Sequence, residues 1–259
     1  MLLCVGIFCG ACGAREVDHP EWRKYFEQAG VDGCLLVYDQ NADQSHVYNA
    51  ARCRTGFLPA STYKIFNSLV ALETRVATNA DFSLAWDGQV RSIPEWNRDH
   101  VLKTAIKYSV VWYYQELARR VGLERMRKYL ELAEYGNGDL SAGIDQFWLR
   151  GGFRVTPEEQ IRLLRRLRAD ELPFSIRSQE IVQTILIEEQ TPRYTLRAKT
   201  GLISEAGHEL GWWVGYVEQS GDVLYFALNI QPAGIAPSDF AASRKPIVRA
   251  ILTDYFSAL

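Results

Sequence analysis

Ser61-Thr62-Tyr63-Lys64 is the stretch whose residue types and spacing are best suited to making a covalent bond. On a helical turn, residues three apart share a face, so the lysine amine reaches the serine hydroxyl, and a helix N-terminus lends positive potential to a developing anion. That is a nucleophile beside a candidate base. The bare pattern is weak on its own, because a surface serine and lysine on a core helix produce it too. Two other stretches add weight by their order and separation: Ser109-Val110-Val111 at the start of a helical run, and Lys199-Thr200-Gly201 at the end of a strand. There a lysine and a threonine suit an anionic group, and the glycine lets a ligand approach the backbone. Taken singly, Ser109 reads as a helix N-cap and Lys199 as an exposed strand-end charge.

The elements that must position these residues follow from periodicity. Residues 32–50 read as a hairpin, with the turn-rich Asn41-Ala42-Asp43-Gln44 between two strand-like runs, and such a hairpin sets Cys34 opposite about position 51. Apolar residues at Ile65, Phe66, Leu69, Val70 and Leu72 mark an amphipathic helix starting near Ser61. Further helices are expected over 109–121, 123–133 and 157–168, the last opened by Thr156 as N-cap with Pro157 at its first position. The pattern then turns strand-like over 194–198, 211–217 and 223–230, with Ser220-Gly221-Asp222 as a hairpin turn, and a helix over roughly 238–256 closes the chain. The fold class is α+β: one antiparallel sheet built from 20–60 and 191–259 and flanked by helices, with 61–190 inserted as a mainly helical subdomain. Ligands favour the cleft between two such parts, and both Ser61 and Lys199 fall at the junction.

Composition narrows the partners. With 259 residues, 29 Lys+Arg against 31 Asp+Glu and a net charge of -2, the chain has no dominant basic face, so a small-molecule partner is expected rather than nucleic acid. The four histidines, His19, His46, His100 and His208, lack metal-ligand spacing and read as scattered solvent-facing side chains, so no metal is expected. The basic run Arg162, Arg165, Arg166 and Arg168 reads as a solvated helix face. No stretch is long and apolar enough to span a bilayer.

Residues 1–14 carry no charge and end in small residues, resembling a secretory signal peptide; a lipid-modified Cys12 and a buried N-terminal strand are the alternatives. Export, to the periplasm, would leave Cys34 and Cys53 in an oxidising compartment, where a disulfide between them and two unpaired thiols are equally open.

The succession S-x-x-K, S-x-V and K-T-G, with Tyr135-Gly136-Asn137 and Trp148-Leu149-Arg150-Gly151 between the second and third, resembles the class D β-lactamases, the oxacillinases. The resemblance runs from about Glu21 to Phe256. Class A enzymes often have S-D-N as second element, and class C enzymes are longer and without this Trp motif. The resemblance implies the transpeptidase-like fold of β-lactamases and penicillin-binding proteins, and a serine β-lactamase that opens penicillins through an acyl-enzyme on Ser61. It implies that Lys64, carboxylated by CO2, is the general base; no metal or organic cofactor is implied. Val111 and Trp148 would support the carbamate, and the backbone N–H groups of Ser61 and Leu202 would form the oxyanion site. Lys199, Thr200, Gly201 and Arg244 would meet the substrate carboxylate, Ser109 would relay a proton, and Tyr135 would lie on the substrate-binding wall. Arg244 rests on position in the last helix alone. Two departures stand out: Trp112 where many relatives have proline, and Leu202 where an aromatic residue is common. A second reading is the penicillin-sensing domain of a receptor, acylated without turnover, and a third is a cell-wall peptidase. The chain is expected to act as a monomer or homodimer.

Overall fold

The computed structural model describes residues 15–204, 209–237 and 239–259; the leader and lipid-site readings, His208 and the Ser238 start of the last helix lie outside the described residues. The C-terminal strands alternate large side chains between two faces, and both faces are buried. Trp212, Val214 and Tyr216 pack with the helical insert, while Trp213 and Val217 pack on the opposite side. A strand covered on both faces reads as a continuous apolar run, which is how 211–217 looks in sequence.

In chain order the elements are β1 (Arg15–Asp18), α1 (Arg23–Gln28), β2 (Val31–Asp39), β3 (Gln44–Tyr48), α2 (Ala50–Cys53), α3 (Lys64–Glu73), β4 (Ser83–Leu84), β5 (His100–Val101), α4 (Leu102–Lys107), α5 (Val111–Val121), α6 (Leu123–Ala133), α7 (Pro157–Arg168), α8 (Ile176–Ile185), β6 (Ile187–Gln190), β7 (Tyr194–Ile203), β8 (Leu210–Gln219), β9 (Asp222–Pro232) and α9 (Phe240–Phe256). Among the described residues the main sheet has seven strands, in the order β1-β3-β2-β9-β8-β7-β6. Phe26 of α1 and Val248, Ile251 and Leu252 of α9 cover one face, and helices of the insert cover the other.

The sheet is mixed rather than purely antiparallel, because β1 pairs parallel with β3. Its connection runs through α1 and β2, long enough for a parallel return, and four residues, three exposed and one half-buried, carry no apolar alternation to reveal it. Strand β7 continues to Ile203, so Lys199-Thr200-Gly201 lies within a paired strand rather than at its end. The helix expected from Ser61 is a 3-10 turn over Ala60–Tyr63 that passes into α3.

Three smaller readings are corrected. His100 is buried, with both ring nitrogens engaged by Thr104 and the Glu95 carbonyl, and His19 and His46 bond to each other at 2.9 Å, so these three are not scattered solvent-facing side chains. The α7 arginines cross-link elements: Arg166 donates to the Ala133 carbonyl, Arg168 to Glu218, and the Arg165 guanidinium lies 3.8 Å from the Tyr38 ring centre. The Leu35↔Tyr48 register puts Cys34 opposite Asn49 rather than position 51, and Cys53 follows one helical turn later on α2. The two thiols are free and buried, and contact with Cys34, reinforced by burial, holds the Cys53 thiol well above its ordinary value.

Candidate active site

The residue before the nucleophile, Ala60, has φ +51°, a left-handed conformation that L-residues seldom adopt. Its surroundings enforce it. The Ala60 N–H donates to the Trp148 carbonyl at 3.0 Å, and the Trp212 indole donates to the Leu58 carbonyl at 2.9 Å. Gln160 of α7 donates to Thr62 Oγ1 at 2.8 Å, and that hydroxyl donates in turn to the Pro59 carbonyl at 2.7 Å. Gln160 and Thr62 are fully buried positioning groups for Ser61 that sequence reasoning missed. No motif marks a glutamine lying far along the chain from the turn it holds.

Lys64 opens α3 and is fully buried, with its amine donating to Ser61 Oγ at 2.7 Å and lying 5.5 Å from the centre of the Tyr114 ring. Burial, with the Lys199 charge as a second cause, pushes the amine well below the usual lysine range. Trp148 stacks on Tyr63 at 5.4 Å, and its buried indole N–H has no hydrogen-bond partner among the described residues. Val110 is fully buried and Val111 half-buried at the first turn of α5.

Ser109 is not an N-cap. It lies between α4 and α5 with φ +57°, and Lys199 donates to its hydroxyl at 3.1 Å. Lys199 also donates to the Thr200 carbonyl at 3.0 Å. Burial, followed by the Arg244 charge, pushes the Lys199 amine down to about 7.

Gly201 lies where β7 presses on the nucleophile turn. A Cβ there would meet the Pro59 carbonyl oxygen at 2.9 Å and the Thr62 methyl at 3.2 Å, so only glycine lets β7 come so close to the Ala60–Tyr63 turn. Arg244, read from helix position alone, does reach this strand: it donates to the Gly201 carbonyl at 2.6 Å, and burial pushes its guanidinium down to about 10. Gly211 makes room for it, since a Cβ there would meet Arg244 Cδ at 3.1 Å.

Tyr135 belongs to the core rather than to a substrate-binding wall. It is 2% exposed, its ring stacks on Phe66, and its hydroxyl donates to Gln160. Its neighbour Asn137 clasps the loop after Trp148, donating to the Gly152 carbonyl and accepting from the Arg154 N–H. The Tyr-Gly-Asn element thus braces the Trp148 segment. Leu202 is half-exposed, and Thr200 likewise.

A half-buried serine bonded to a buried lysine, facing a strand with Lys-Thr-Gly on a sheet flanked by helices, defines the acyl-transferring transpeptidase architecture, and the family model for the penicillin binding protein transpeptidase domain matches residues 35–253. Beta-lactamase OXA-48 of Klebsiella pneumoniae is 42% identical over 235 residues, covering 91% of this chain and 88% of that protein. Probable beta-lactamase YbxI of Bacillus subtilis (strain 168) is 39% identical, covering 79% and 76%. The crystal structure of the class D β-lactamase YbXI from Nostoc superposes with a TM-score of 0.87 at 45% identity, covering 92% of this chain and 99% of that one. That of FUS-1 (OXA-85), a class D β-lactamase from Fusobacterium nucleatum subsp. polymorphum, gives 0.87 at 36% identity, covering 92% and 98%. The chain belongs to the class D β-lactamases, which are hydrolases, and the sensor reading is not favoured. Among the described residues no cluster could hold a metal ion, and no helix is long and apolar enough to cross a membrane.

Proposed function

We propose that this protein hydrolyses penicillins of the oxacillin type, and related β-lactams, through an acyl-enzyme on Ser61, with Lys64 as the site of the general base. The observation that carries the reading is the 2.7 Å contact between Ser61 Oγ and a lysine amine whose hold on its proton burial weakens. Ser61 Oγ attacks the lactam carbonyl while its proton passes toward Lys64. The backbone N–H groups of Ser61 and Leu202 receive the oxyanion, and Gly201 permits that approach. As the C–N bond breaks, Ser109 hands a proton to the leaving nitrogen, resupplied from Lys199 at 3.1 Å. Lys199, Thr200 and Arg244 hold the substrate carboxylate.

The residues around Lys64 fit a carbamate. Only a neutral amine adds CO2, releasing one proton, and the resulting anion needs donors in a desolvated place. The unpartnered indole N–H of Trp148, in the segment that holds Ala60, is a donor of the required kind, with Val110 and Val111 as apolar support. A carbamate would supply an anionic base for both acylation and deacylation. The apolar, uncharged residues 1–14 support export, probed by N-terminal sequencing of the secreted protein. In an oxidising compartment the touching thiols of Cys34 and Cys53 would join as a disulfide.

The test is turnover of a chromogenic cephalosporin with and without bicarbonate, followed by intact mass spectrometry. Turnover stimulated by bicarbonate is expected. A stable adduct on Ser61 without product release would overturn hydrolysis, and turnover indifferent to bicarbonate and acid would overturn the carbamate.

A further inference from the structure

Ser109 holds a backbone conformation that serine seldom adopts. It is the left-handed residue after the C-terminus of α4: the Ser109 N–H donates to the Ile106 carbonyl at 3.2 Å, and the Val110 N–H to the Ala105 carbonyl at 2.9 Å. That pattern is a Schellman motif, whose left-handed position is usually glycine. A serine there keeps its hydroxyl on Lys199 only if the turn is restrained from outside. Two indoles reach this turn in series. Trp96, in the 3-10 turn Pro94–Trp96, donates its N–H to the Tyr108 carbonyl at 2.9 Å, and Trp112, the second residue of α5, donates its N–H to the Trp96 carbonyl at 2.9 Å.

We propose that Trp112 and Trp96 form a strap that positions Ser109 for proton transfer, joining the two helices on either side of it through the 94–96 turn. The strap is itself held. Trp112 is only 7% exposed, with the Arg91 guanidinium 5.9 Å from its ring centre and the His100 ring centre at 6.1 Å. Arg91 is tied to Asp87 at 2.6 Å, and its backbone N–H and carbonyl both bond the Asn97 amide, which closes the segment on itself. Among the described residues none of these hydrogen bonds or ion pairs involves Lys64 or Ser61, so the strap acts on the Ser109 step. It rests on the proton-relay reading of Ser109.

Trp112→Phe keeps an aromatic ring and removes the N–H that holds Trp96. Stopped-flow acylation and deacylation rates are compared in the unaltered protein, Trp112→Phe, Ser109→Ala and the double variant, with thermal melting of each. The strap predicts that Trp112→Phe slows acylation about three- to tenfold, the size of one lost hydrogen bond, leaves deacylation unchanged, and adds less than about twofold to the Ser109→Ala defect. A merely structural tryptophan would lower both rates, or slow acylation equally in both backgrounds, and either result overturns the strap. So does an unchanged acylation rate in Trp112→Phe. If Ser109→Ala acylates at the unaltered rate, the relay reading itself fails, and the strap with it. Should Trp112→Phe not fold, Trp96→Phe cuts the next link and carries the same comparison.

Discussion

Lys64 and Lys199 are both buried, and both amines are pushed below the ordinary lysine range, yet their surroundings differ in kind. Around Lys64 stand a serine hydroxyl and aromatic rings, Tyr114 among them, so loss of hydration acts with little to offset it. Around Lys199 stand acceptors, the Ser109 hydroxyl and Thr200 carbonyl, with Glu188 favouring the charge and Arg244 and Lys245 opposing it. An apolar hole makes a lysine give up its proton more readily, whereas a polar, cation-rich rim leaves one that exchanges its proton near neutral pH and gains further hold on it when an anion binds. Burial alone does not decide a lysine's role; the company does.

The largest expected effect comes from emptying the apolar hole. Lys64→Ala should slow turnover by about a thousandfold, the scale of a lost general base, and leave an adduct on Ser61 visible by mass spectrometry. Trp148→Phe, which keeps the ring and removes the unpartnered donor, should cost roughly ten- to a hundredfold in kcat, partly recovered with added bicarbonate. Steady-state rates across a bicarbonate series check it. On the rim, Arg244→Ala should raise KM for a penicillin about tenfold with a smaller change in kcat, because it meets the substrate away from the bond that breaks.

The two lysines should also set opposite pH limbs. As pH falls, the Lys64 amine regains its proton, so kcat/KM drops on the acid side; as pH rises through about 7, Lys199 loses its charge, so kcat/KM drops on the alkaline side. Lys199→Arg, which cannot deprotonate in this range, should remove the alkaline limb and keep the acid one. Equal limbs in both proteins would erase the distinction. The smallest effect on activity is expected far from both lysines: reduction of a Cys34–Cys53 bridge should lower stability by about 3 kcal/mol, the scale for a loop of roughly 20 residues, read from melting with and without a thiol reductant.

Much of this site was legible in the sequence because its members are local. Ser61 and Lys64 are three apart on one turn, and Thr156 with Glu159 caps α7 within four residues, so spacing alone brings each pair together. Residues that act across the fold left weaker traces or none. Gln160, Gly211 and Trp96 matter through partners far along the chain, and nothing in their own neighbourhood says so. Tyr135 misled for the opposite reason: it stands in a recognisable element, but its ring faces the core while Asn137 does that element's bonding.

By itself the sequence determined which groups could form and break a bond, the longer amphipathic helices α3, α5, α6, α7 and α9 with the C-terminal strands, and the family, since those depend on residue types and short spacings. Only the tertiary structure decided that Lys64 is dry and Lys199 is not alone, that Arg244 reaches the Gly201 carbonyl, and that Ser109 sits in a left-handed turn. Desolvation, charge neighbours and backbone strain are properties of what surrounds a residue, and those surroundings exist only once distant segments have packed.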